Sequence, residues 1–133
     1  MKRNLFAVIM AAVVLMSGIT AYAHHSFAAT YDESKKVQIE GKLVTYTFRN
    51  PHSFVHVMAP DSNGVMQRWI VEWGGAGQLD GQGITRDSLK AGDMIQITGS
   101  PGRDFTEHRI RMVSLRRTSD GFSWGGKQGE KFD

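Results

Sequence analysis

The chain carries five histidines and no cysteine. Any metal site must therefore be built from imidazole, carboxylate and amine groups rather than thiolate. His24 and His25 directly follow Ala21-Tyr22-Ala23, a small-x-small tripeptide of the kind that ends an export signal. A cut after Ala23 makes His24 the first residue, and its α-amine and ring Nδ1 can then close a chelate on one ion. One more imidazole nitrogen completes a T-shaped histidine brace, and nitrogen-only donors of this kind favour copper(II). His52, just after Asn50-Pro51 at the start of an expected strand, is the partner best placed to supply it. His56 cannot share the ion with His52: four residues of strand put their Cα atoms about 13 Å apart, whereas metal–nitrogen bonds are about 2 Å. The expected metal ligands are thus His24, His25 and His52. Amines and imidazoles take up protons near neutrality, so protonation competes with capture of the ion.

Other constellations carry less. His56 alternates with Phe54 and Met58 and is expected to be half-buried with a hydrogen-bonded ring, with ligand contact as its weaker role. His108, between Glu107 and Arg109, reads as a solvated edge residue. Trp69, Val71 and Trp73 share one strand face, so the tryptophans are core residues or a stacking platform for a ligand. Glu72 points the other way and is expected to accept a histidine N–H behind the metal. The Gly74-Gly75-x-Gly77 run lacks the lysine and long helix of a phosphate loop. Arg109, Arg111, Arg116 and Arg117 read as a solvated basic face. Ser26 has no acid–histidine partner at a recognisable spacing, and no carboxylates pair as in a glycosidase.

The elements that must position these residues belong to one small domain. Lys2 and Arg3, the apolar run Leu5–Met16 and the Ala21–Ala23 site read as a cleavable signal peptide over residues 1–23, which predicts a periplasmic or secreted protein with no membrane span after cleavage. The formal charge is +3, but two of the 16 basic residues lie in that signal; the rest nearly balance the 13 acidic residues, so no nucleic-acid partner is expected. Strands are predicted over residues 36–49, 52–59, 66–73, 94–99 and 108–116. A change of hydrophobic phase after Leu43, close to Gly41, marks a bulge in the long first strand. A helical turn is expected at 76–79, and a second at 86–90 capped by Thr85. The fold expected is all-β: a small five-stranded OB-like barrel with a short helical connection between strands 3 and 4, occupying 24–117 and followed by a flexible tail over 118–133, with a tail that docks Phe122, Trp124 and Phe132 on the barrel as the alternative. A two-sheet sandwich is the alternative.

The segment Ala23-His24-His25-Ser26-Phe27-Ala28-Ala29-Thr30-Tyr31-Asp32, the Asn50-Pro51-His52 break and Thr85-Arg86-Asp87-Ser88-Leu89-Lys90-Ala91-Gly92-Asp93 resemble a family of small exported bacterial proteins of unknown function. Its members combine a signal peptide with an HHSF mature start, an NPH strand start and an SLK-x-GD turn. The resemblance spans the mature chain to about Leu115 and implies an OB-like barrel and a periplasmic home, without an activity. It draws attention to His24, His25, Ser26, Phe27 and His52.

These readings converge on a non-enzymatic, exported binding protein that takes copper through His24, His25 and His52. The alternative is an OB-like module that binds a protein partner or cell-envelope glycan through Trp69 and Trp73, with the histidines incidental. A copper redox enzyme is a third reading, for which no extended substrate surface is evident.

Overall fold

A computed structural model of the protein describes residues 27–126. The chain divides into a unit of residues 1–30, of which 27–30 form a helical turn, and a unit of residues 31–133. The signal segment, His24, His25 and Ser26 lie outside the described residues.

The second unit is built from β1 (Val37–Thr47), β2 (Phe54–Pro60), β3 (Met66–Glu72), the short helix α1 (Ala76–Asp80), β4 (Met94–Pro101), β5 (Arg109–Arg117) and β6 (Ser123–Gly125). The sheet order is β3-β2-β1-β4-β5-β6, and a parallel pairing of β3 with β5 closes the first five strands into a barrel. That circuit, with a helix between the third and fourth strands, is the OB barrel. Closure leaves the five strands without the open edges of a sandwich.

The first strand can serve both sides of the barrel because it bends. Ile39, Gly41 and Leu43 point inward, then the register slips between Leu43 and Thr45 and Val44 turns out to solvent. At Gly41 an added Cβ would stand 2.1 Å from the carbonyl oxygen of Met58, so only glycine lets β1 cross β2 this closely. Gly99 does the same for β4 at its own irregularity, with Arg111 oxygen 2.2 Å from the Cβ position. Ile39, Leu43, Val55, Val57, Val71 and Ile97 fill the barrel, and Leu79, Ile84 and Leu89 from the segment around α1 join the same core.

Two sequence expectations need correction. Residues 86–90 form turns rather than a helix. Thr85 still accepts the Asp87 N–H (3.3 Å) while Ser88 Oγ accepts the Thr85 N–H (2.8 Å), so the capping contacts form without a following helix. The flexible tail begins too early, because Ser123–Gly125 add β6 to β5, and up to Gly126 the docked alternative holds. Trp124 packs edge-on against Trp73 (5.1 Å between ring centres) and the Arg117 guanidinium lies over Phe122. Their side chains bury enough apolar surface to order a glycine-rich segment whose composition alone suggests mobility. Among the described residues no helix is long and apolar enough to cross a membrane.

Candidate functional site

The β1–β2 connection, residues 48–53, is held from beneath by the glycine-rich run. Ser53 is fully buried; its N–H donates to Gly74 O and its carbonyl accepts from Trp73 N–H. Asn50 Oδ1 accepts the Gly77 N–H at 3.1 Å, and a Cβ on Gly75 would approach Pro51 O to 2.5 Å. The peptide between Asn50 and Pro51 is cis. The glycines therefore serve close packing of two backbones, which explains the run without any phosphate.

This packing sets His52 above the end of β3. Glu72, the last residue of that strand, pairs in register with Phe54 on β2 and Arg111 on β5, so it projects from the outer face beside the β1–β2 loop. Its Oε1 lies 2.5 Å from His52 Nδ1. Its Oε2 accepts the Tyr31 hydroxyl at 2.5 Å. One carboxylate thus joins a loop histidine to the residue where the chain enters the barrel. Tyr31 is locked there: it is 1% exposed, bridges to Gly102, and is followed by an Asp32 N–H bond to Pro101 O. Burial raises the phenol pKa, the bond to Glu72 adds to this, and the charge of Arg109 opposes it.

Because the carboxylate accepts at Nδ1, that nitrogen carries the proton, and a neutral His52 ring holds its lone pair at Nε2. A histidine oriented this way is suited to ligate a metal or act as a base through Nε2. Beside it opens a cleft of about 410 Å³ whose walls include Arg49, His52, Phe54, Glu72 and Arg109. Among the described residues no three His, Cys, Asp or Glu side chains cluster as a metal site. Of the expected ligands, the described residues place His52 alone, on the carboxylate Glu72.

The remaining sequence candidates lie elsewhere. His56 sits on the outer face of β2 and accepts at Nδ1 from Arg68 Nε (3.2 Å); burial and then the Arg68 charge lower its pKa. Trp73 is 3% exposed and packs between Tyr46 and Trp124 in the core, leaving no open ring face for stacking. Trp69 is partly buried against the core and donates its indole N–H to Ala59 O. It borders a second cleft of about 690 Å³ with Phe105, Asp61 and His108. His108 is not a solvated edge residue: its side chain is 23% exposed, in a left-handed conformation (φ 48°), edge-on to Trp69 at 5.0 Å. The arginines of β5 do not form one basic face. Arg117 binds Asp93, Asp120 and Ser88 O, Arg111 binds Glu33, and Arg109 turns toward the first cleft.

Sequence reasoning passed over Tyr31 and Arg49 and took Arg109 for part of a solvated face. Tyr31 stands in the HHSF segment, seven residues after His24, yet its contact with Glu72 spans 41 residues and leaves no local spacing to read.

The fold and site define a closed five-stranded OB barrel with a carboxylate-held histidine in the β1–β2 loop. Residues 11–111 match the family of unknown function DUF6152. The chain belongs to that family. No curated protein matches it. Among solved structures, it is similar to the mitochondrial single-stranded DNA binding protein Rim1 of S. cerevisiae, with a TM-score of 0.48 and 11% identity over 65% of this chain and 96% of that one.

Proposed function

We propose that this is an exported binding protein that holds copper between its mature amino terminus and His52. The observation that carries the reading is the 2.5 Å contact of Glu72 with His52 Nδ1, the arrangement by which carboxylates orient histidine ligands and raise their basicity. The anchoring of Tyr31 on the same carboxylate adds to it. Seven residues separate Tyr31 from His24, so the α-amine and the rings of His24 and His25 are tethered within about 25 Å of that point. Glu72 then serves both the ligand and the tether. Residues 1–23 supply the export signal that would liberate the amine.

Mass spectrometry of the exported protein should find His24 at the amino terminus with any retained metal. The purified chain should bind about one Cu(II), His24→Ala should weaken binding sharply, and Glu72→Gln should weaken it by about 10–100-fold. If a version carrying one extra residue before His24 binds copper as tightly, the amine has no part and the reading fails.

A further inference from the structure

The cleft beside His52 holds more positive charge than the contacts described so far use. Arg49 and Arg109 both line it, against the single carboxylate of Glu72. Glu72 can offset only one of the two charges, and its two oxygens accept from His52 Nδ1 and the Tyr31 hydroxyl rather than from either guanidinium. Arg109 reaches the neutral Tyr31 hydroxyl and, at 3.8 Å, the carboxylate of Glu107, whose side chain is 54% exposed, while its buried Nε has no hydrogen-bond partner among the described residues. Arg49 is exposed and lies over the Phe54 ring, 5.5 Å from its centre, with no carboxylate within ion-pair distance among the described residues. Two guanidiniums, an imidazole and an aromatic ring thus border one cleft of about 410 Å³, a volume that suits a small organic molecule.

We propose that this cleft binds a small oxyanion, a carboxylate or phosphate group, between Arg49 and Arg109, with the Phe54 ring against the apolar part of the molecule that bears it. Guanidinium offers paired N–H donors that match both groups. The site goes beyond the copper reading and does not rest on it: the arginines act with or without a metal, and an anion there would also offset the charge of a bound dication.

The test is calorimetric titration of the full exported chain, freed of metal on a chelating resin, with benzoate and with inorganic phosphate. Chloride at equal ionic strength is the control. Saturable binding of one equivalent of either anion supports the site, and the tighter of the two names the group it takes. Arg49→Gln, an exposed change that leaves the fold intact, should weaken binding by at least about tenfold, the scale of one charge-assisted paired contact. Arg109→Gln should do the same in protein that retains the native circular dichroism. The proposal is overturned if neither anion saturates, if Arg49→Gln binds like the native chain, or if binding appears only after copper is added, which would put the anion on the metal. Loss of copper affinity in His24→Ala with anion binding intact would leave this site standing.

Discussion

Glu72 does with one side chain what two would otherwise have to do: one oxygen orients His52 and the other holds the phenol of Tyr31. Removing the phenol leaves that oxygen half-buried without its donor, so Tyr31→Phe should cost about 1–2 kcal/mol, read as a lower urea midpoint with unchanged slope. The same residue predicts alkaline behaviour. Burial and the bond to Glu72 raise the Tyr31 pKa above its ordinary value of 10.0, and burial pushes Tyr46 up to about 12. Above pH 10 the unfolded chain loses these protons while the folded chain keeps them, so the stability they confer is complete below pH 10 and falls as pH rises beyond it. Ultraviolet phenolate absorption should therefore titrate late in the folded protein, and Tyr31→Phe should flatten the alkaline loss of stability. A Tyr31 phenol that ionises at its ordinary pH in the folded chain would contradict the buried contact.

Among the elements, the long first strand and the glycine-rich connection decide where the site can stand. The bulge after Leu43 carries β1 from β4 to β2, and the Gly74–Gly77 run packs beneath the β1–β2 loop. Glycines in the two settings should respond differently to substitution. Gly41→Ala would drive a Cβ into the Met58 carbonyl, backbone that cannot step aside, and should destabilise by more than about 3 kcal/mol or prevent folding. Gly64→Ala meets nothing within 4 Å and is opposed only by its positive φ of 79°, so it should cost about 1 kcal/mol. Chemical denaturation of the two variants checks the contrast. Of the three segments that resemble the exported family, the SLK-x-GD turn has a structural part. Gly92 and Asp93 pair with Leu43, and Asp93 receives Arg117, which ties the start of β4 to the end of β5. The other two segments supply Tyr31 and His52, which meet at Glu72.

At the scale of the whole molecule, the barrel core is complete without the site, since His52, Glu72, Arg49 and Arg109 all stand outside it. Stripping metal should therefore leave far-ultraviolet circular dichroism and cooperative unfolding intact. Added copper should raise the melting temperature by several degrees through mass action, an increase that His24→Ala should abolish. Unfolding on metal removal would show that the ion builds the fold rather than binding to it. The five barrel strands, the bulge beside Gly41 and the helical turn after β3 were legible in the sequence because alternation, glycine and proline act over a few residues. The place of β6 was not, since its order comes from Trp124 finding Trp73 across 51 positions of chain. The site divides the same way. Chemistry and the small-x-small cleavage motif single out His24, His25 and His52 in the sequence, whereas the pairing of β2 with β3 brings Glu72 under His52, and only the closed barrel brings Tyr31 onto Glu72 and Arg109 into the same cleft. Side-chain type is written residue by residue; which charges face one another depends on contacts tens of residues apart, and those exist only once the barrel has closed.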